Sequence, residues 1–263
     1  MILQKIIREK ERELELMKRD RRSLCAALSV PGVSIIAEIK RASPSRGIIE
    51  TSLEPAERLQ AYEKGGASAI SVVTDKKFFH GDAGMLRLLR PRTSLPILRK
   101  DFMIDPLQLY ESFFLGADAV LLIASVLEQD RLEAMLEKAR SIGLEALVEV
   151  HDEEELFRAL DTTAEVLGIN NRNLEDFSVD LGVTERLMEV LRSRTGRKRP
   201  LVVAESGVSS VEDARFLAEC GVDGILVGSF LVESPRPQER LKEILEGVTA
   251  GGAGQDMRSH QQA

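Results

Sequence analysis

The chain has 263 residues, long enough for one large domain, and its 36 Lys and Arg against 43 Asp and Glu give a net charge of −7. Acids and bases are interleaved, so no basic face for a polynucleotide is visible, and no apolar run approaches the roughly 20 residues of a membrane span. Cys25 and Cys220 lie in unrelated contexts, with neither a disulfide framework nor a metal-ligand spacing, and the N-terminus lacks the apolar core of a signal peptide. These features predict a soluble cytoplasmic protein with no nucleic-acid or membrane partner.

Residues 2–22 are charged and helix-prone, with Ile2, Ile6, Ile7, Leu14 and Met17 spaced as one apolar stripe. This predicts a helical extension over residues 1–32 that leans on the rest of the protein. A connector with Ser29, Pro31 and Gly32 follows. From residue 33 a repeating pattern begins. Apolar runs at 33–39, 69–73, 96–98, 119–123, 146–150, 166–169, 201–204 and 224–227 read as strands. Amphipathic stretches near 54–64, 82–89, 106–115, 128–142, 153–160, 183–192, 211–219 and 237–246 separate them. Gly66, Gly116, Gly143 and Gly221 stand where helix C-caps are wanted, and Ser210 is a candidate N-cap. Eight strand-then-helix units with uniformly apolar strands indicate a parallel sheet covered by helices. An open doubly wound sheet usually carries a Gly-rich turn after its first strand, which is missing here. The eight-fold count therefore favours a closed (β/α)8 TIM barrel over 33–247, an α/β fold with an additional N-terminal helix. Residues 248–263 are small and polar and read as a disordered tail.

In such a barrel the active site forms where strands meet the loops at their C-terminal ends, and polar residues two apart on a strand share a face. Glu38 and Lys40 end the first strand, Lys100 the third, and Glu149 the fifth. Asn170 and Arg172 end the sixth, and Glu205 runs into Ser206 on the seventh. Any one charged strand end is an ordinary salt-bridged terminus. Two lysines, three glutamates, an asparagine and an arginine converging on one mouth are instead a site, because packed lysines and carboxylates shift one another's pKa toward working acid–base values.

Glu205-Ser206-Gly207-Val208 and Val227-Gly228-Ser229-Phe230 leave backbone N–H groups open to an anion after strands seven and eight. An extra helix opening near Ser234-Pro235 is expected to point there too, giving a phosphate site of Gly207, Gly228, Ser229 and Lys40. His80, His151 and His260 form no pair with metal-ligand spacing, so no metal is expected, and His151 reads as part of the loop into the next helix. Phe78, Phe79 and Phe102 lie in strand-end loops and offer walls to a flat apolar ligand.

Together these residues resemble the indole-3-glycerol phosphate synthase family. The resemblance is carried by Ala37-Glu38-Ile39-Lys40-Arg41-Ala42-Ser43-Pro44-Ser45, Leu98-Arg99-Lys100-Asp101-Phe102, Leu147-Val148-Glu149-Val150, Gly168-Ile169-Asn170-Asn171-Arg172, Ala204-Glu205-Ser206-Gly207-Val208 and Val227-Gly228-Ser229. It runs in family order over about residues 1–247. It implies a cofactor-free ring closure of 1-(2-carboxyphenylamino)-1-deoxyribulose 5-phosphate, a small-molecule substrate, with loss of CO2 and water. It implies Lys100 as general acid, Glu149 as acid/base partner in dehydration, Lys40 on the anionic groups and Glu38 orienting the lysines. Asn170, Glu205 and Ser206 would position the sugar hydroxyls, Arg172 the anthranilate side, and Phe79 and Phe102 the aromatic ring. Ser43 would contact substrate from a loop over 42–49 that is expected to close on it. The run Phe113-Phe114-Leu115 is apolar for an outer helix and suggests a buried patch or a subunit contact, in a monomer or weak homodimer. Two other readings stand beside this one: another phosphate-binding barrel such as a sugar-phosphate isomerase, and a barrel that binds phosphate ligands without turnover.

Overall fold

Eight short aliphatic runs form one closed parallel barrel in the computed structural model of the chain, which describes residues 2–17, 21–43, 47–48, 53–195 and 199–252, with the side chains of 12–17, 43, 48 and 250–252 excepted. The strands are β1 (Ser34–Ile39), β2 (Ala69–Val73), β3 (Ile97–Lys100), β4 (Ala119–Ile123), β5 (Glu145–Val150), β6 (Val166–Asn170), β7 (Leu201–Glu205) and β8 (Gly224–Val227). Each pairs with the next, and β8 pairs with β1 to close the ring. The strands lie buried along nearly their whole length, which is why their sequences carry no polar alternation.

The helices before the barrel are α1 (Ile2–Met17) and α2 (Leu24–Leu28). Those between the strands are α3 (Pro55–Gly65), α4 (Gly84–Leu89), α5 (Pro106–Leu115), α6 (Gln129–Ser141), α7 (Glu153–Leu160), α8 (Gly182–Thr195) and α9 (Val211–Glu219); α10 (Ser229–Val232) and α11 (Pro237–Gly252) complete the chain. Their ends follow local chemistry. At α5, Asp105 accepts a hydrogen bond from the Leu107 amide, Pro106 fills the first turn, and Gly116 closes the helix at φ 105°. At α9, Ser210 accepts from the Asp213 amide at 3.0 Å while Asp213 accepts from the Ser210 amide at 2.9 Å, a reciprocal cap.

Two apolar layers result. The outer one lies between the strands and the helical ring. The inner one fills the barrel with Ile36, Leu98, Leu121, Leu147, Val203 and Leu226, and is completed from below by Leu24 and Leu28 of α2. Glu145, at the start of β5, seats that plug by accepting from Ser23 Oγ at 2.6 Å and from the Cys25 amide at 2.9 Å. Asp118 fastens the same end, accepting from the Arg90 guanidinium, from the Ile97 amide at 2.9 Å and from the Arg22 amide at 3.2 Å.

The N-terminal region departs from the single leaning helix expected of it. Ser23 caps a separate helix, and that short α2 is the part that enters the core. Ile2, Leu3, Ile6 and Ile7 of α1 are exposed. At the other end α11 continues to Gly252, past the boundary expected at 247, and Val248 is buried. The rest of the predicted tail, 253–263, lies outside the described residues. In the expected closing loop, Ala42 and Ser43 pair antiparallel with Ile48 and Gly47, and residues 44–46 and 49 lie outside the described residues. Of the apolar run on α5, Phe113 packs inward with the Arg21 guanidinium 4.0 Å above its ring, and Phe114 is exposed.

Candidate active site

Alternation along the strands carries the inner face upward from apolar to polar: Ile36 to Glu38, Leu98 to Lys100, Leu147 to Glu149, and Val203 to Glu205. These ends line one cavity of about 420 Å³ at the C-terminal mouth of the barrel, together with Lys40, Asn170, Arg172, Phe79, Phe102, Ser206, Gly207, Gly228 and Ser229. The side chain of Ser43 lies outside the described residues.

Lys100 stands at the centre. Its Nζ is 3.0 Å from Glu149 Oε2 and 2.7 Å from Glu205 Oε2, so one ammonium bridges two carboxylates. Burial works hardest on it and favours the neutral amine, but the carboxylates of Glu149, Glu205 and Glu38 outweigh that and hold its pKa above the ordinary lysine value. The two carboxylates share the ammonium unequally. Burial pushes both up, yet Glu149 also faces His151 at 3.3 Å and accepts from Asn170 Nδ2 at 3.0 Å, and its pKa ends below the usual carboxylate range. Glu205 lacks those partners and is repelled by the Glu149 charge, so burial prevails and raises it to about 7. Its Oε1 is buried with no hydrogen-bond partner. The site thus holds a charged carboxylate, a charged lysine and a second carboxylate poised to gain or lose a proton near neutrality.

Lys40 pairs with Glu38 at 2.9 Å on the opposite wall. The pair presses on the turn after β8: a Cβ at Gly228 would stand 2.7 Å from Lys40 Nζ and closer still to Glu38 Oε1, so a side chain there would push the tips of the pair aside. Gly207 is likewise hemmed in: a Cβ there would stand 2.5 Å from Leu181 Cδ2 and 2.8 Å from Val179 Cγ1, and the residue follows Ser206 at φ 65°. The extra helix lies earlier than its expected start near Ser234. It is α10, which opens at Ser229 directly beside the cavity, because Leu231 and Val232 both donate to the Gly228 carbonyl. Ser234 instead accepts from the Arg236 amide at 3.2 Å in the turn before α11.

Phe79 and Phe102 face each other with ring centroids 6.1 Å apart. Phe78 points out and is 61% exposed, so it forms no wall. Arg172 donates from Nη1 to the Phe177 carbonyl and pairs with Val179 across a small hairpin.

Several residues to which the sequence reading gave no role complete the site. Asp75 accepts from the amides of Phe78 at 2.7 Å and Phe79 at 3.0 Å and so fixes the loop that presents Phe79. Its place two residues after β2 was the available signal. Leu174, Phe177 and Val179 line the mouth from the hairpin after β6, where nothing periodic marks them. Asn171 donates to the carbonyls of Glu205 and Ser206 and accepts from Thr184, tying β6 to β7 and α8. His151, read as a plain loop residue, bridges Glu149 and Glu155. Among the described residues no group of His, Cys, Asp or Glu is placed to hold a metal ion, and no helix is long and apolar enough to cross a membrane.

A family model described as indole-3-glycerol phosphate synthase matches residues 3–244. The indole-3-glycerol phosphate synthase of Petrotoga mobilis is 46% identical over 244 residues, covering 93% of this chain and 96% of that one. That of Thermoanaerobacter pseudethanolicus is 40% identical over 96% of this chain and 100% of its own. Among solved structures, a thiamine phosphate pyrophosphorylase from Pyrococcus furiosus superposes with a TM-score of 0.63 at 21% identity, covering 87% of this chain and 99% of its own, a likeness of fold alone. With the family motifs placed on successive strand ends of one closed barrel, the chain belongs to the indole-3-glycerol phosphate synthase family.

Proposed function

We propose that this chain closes the indole ring of indole-3-glycerol phosphate from 1-(2-carboxyphenylamino)-1-deoxyribulose 5-phosphate, as a cofactor-free carboxy-lyase. The observation that carries the reading is the Lys100 ammonium held between two carboxylates of unequal ionisation on the floor of the cavity.

The chemistry needs an acid first. When the ring carbon that bears the carboxylate attacks the ketone, negative charge develops on the ketone oxygen, and the Lys100 ammonium is the donor in reach of the cavity centre. The bond to the carboxylate then breaks, CO2 leaves, and its electron pair restores the aromatic ring. Dehydration follows. A proton leaves the methylene beside nitrogen, the new hydroxyl takes a proton, and water departs. Glu149, held charged, suits the first transfer, and Glu205, titrating near neutrality, can supply the second. Gly207, Gly228, Ser229 and Lys40 would hold the phosphate, Asn170 and Ser206 the sugar hydroxyls, Arg172 the anthranilate side, and Phe79 and Phe102 the ring, with Glu38 orienting Lys40 and Ser43 touching substrate from its loop. All these residues belong to one chain, so a cytoplasmic monomer or weak homodimer serves.

Turnover of the anilino-deoxyribulose phosphate, followed by indole fluorescence, tests the reading; the chain has no tryptophan to obscure the signal. Lys100→Met should leave a folded barrel by circular dichroism with kcat lower by at least ~10²-fold, the scale of a positioned general acid. Wild-type turnover by that variant would remove Lys100 from the centre of the mechanism.

A further inference from the structure

His151 stands just past the end of β5, its side chain 15% exposed, with a carboxylate oxygen at each ring nitrogen. Nδ1 is 2.9 Å from Glu155 Oε2, and Nε2 is 3.3 Å from Glu149 Oε1. The first contact is aligned as a hydrogen bond; the second is an ion pair without that alignment. The His151 amide donates to the same Glu155 oxygen at 2.9 Å, and the Glu155 amide donates to Asp152 at the start of α7. The ring is therefore clamped from one side by a helix cap and aimed at Glu149 on the other.

Two acceptors on one imidazole decide its charge. A neutral ring has one N–H, and its other nitrogen would turn a lone pair toward a carboxylate. Only the imidazolium satisfies both neighbours. The charged and titratable groups around it are Glu149 of its own strand, Glu155 and Asp152 of α7, and, across Glu149, Lys100 of β3 with Glu205 of β7 beyond.

We propose that His151 is a positioning residue for the reaction, an imidazolium that keeps Glu149 ionised and turned so that Oε2 meets Lys100 while Oε1 is held by Asn170 and the ring. The proposal rests on the proposed activity for its catalytic meaning. It explains why Glu149 and Glu205, both bound to one lysine, differ in ionisation: Glu149 faces a second cation, and Glu205 does not. Burial alone would lower the His151 pKa, but the two carboxylates raise it to about 10, in agreement with the contacts.

Two measurements test it, and the first needs no turnover. Ring nitrogen and carboxyl carbon NMR of the full chain should show His151 doubly protonated at pH 8, and Glu149 titrating higher by about one pH unit or more in His151→Gln. A neutral ring at pH 8, or an unmoved Glu149, overturns the proposal. The second is the pH profile of turnover. Because the imidazolium lowers the Glu149 pKa, its loss should move the acidic limb of kcat upward, giving about a tenfold loss at the acid end, little change at pH 8 and a nearly constant KM. Glu155→Gln, which frees the ring without touching Glu149, should shift the limb the same way by less, and serves if His151→Gln folds poorly. Uniform loss at every pH in both variants would show a merely structural residue. Absence of turnover in the wild type would sink the proposed activity, while the NMR titration would still decide the state of His151.

Discussion

Gly168 on β6 and the Glu205 carboxylate on β7 compete for one space: a Cβ built on Gly168 would fall inside van der Waals contact of both Glu205 Oε1 and Leu147 Cδ2. Glycine on the inner face of β6 is what lets the carboxylate lie across the barrel and reach Lys100. Gly168→Ala should therefore displace Glu205 or Leu147, with a stability cost of about 1–3 kcal/mol for overpacking and a kcat at least ~10-fold lower. Urea unfolding and steady-state kinetics read the two effects. An alanine variant with wild-type kcat would mean that Glu205 need not sit where it does.

Glu205 also sets a pH dependence of stability. Its folded-state pKa of about 7 lies above the ordinary carboxylate value of 4.5, so its contribution is fully present below pH 4.5 and is lost as pH rises through 7. Glu205→Gln removes the ionisation while keeping the shape. The variant should gain in melting temperature relative to wild type between pH 4.5 and 7, the gain levelling off above 7, by about a few degrees. Thermal melts across that range check it. A gain that grows toward acid pH would reverse the assigned direction.

The far end of the barrel answers to stability alone. Asp118 and Arg90 are an ion pair with both side chains buried, and Asp118 also accepts the Ile97 and Arg22 amides. Asp118→Ala takes the carboxylate away from the buried Arg90 guanidinium, which keeps the Thr93 and Leu95 carbonyls, and strips the Ile97 and Arg22 amides of their acceptor, which should cost about 3–5 kcal/mol. Because the pair lies at the end opposite the cavity, kcat of the folded fraction at 25 °C should stay within about twofold of wild type. Chemical denaturation with kinetics at low denaturant separates the two, and a large loss of kcat in fully folded protein would show coupling between the ends of the barrel.

The repeat of strand and helix was legible because each unit is specified locally: a short aliphatic run buries on both faces, and Asp105, Ser210 and Gly116 terminate helices through their own backbone contacts. The polar strand ends were legible through the two-residue alternation that follows Ile36, Leu98 and Leu147. Where local signals conflicted, the reading failed. The charged stripe over residues 2–22 holds the expected helix as α1, but the short α2 went unread because its cap, Ser23, finds its partner in Glu145, 122 residues away. The proline after Ser234 suggested an extra helix opening there, and the helix begins earlier, at Ser229.

By itself the sequence determined the barrel, the order of its elements and the charged strand ends that stand at the mouth, because propensity, capping and alternation act over a few residues. The tertiary structure alone decided how those residues share charge. Lys100 meets Glu149 across 49 positions of chain and Glu205 across 105. His151 reaches one of these carboxylates and not the other. Ionisation depends on desolvation and on the distances between charges, and both are set only when the ring of strands closes and brings its ends together.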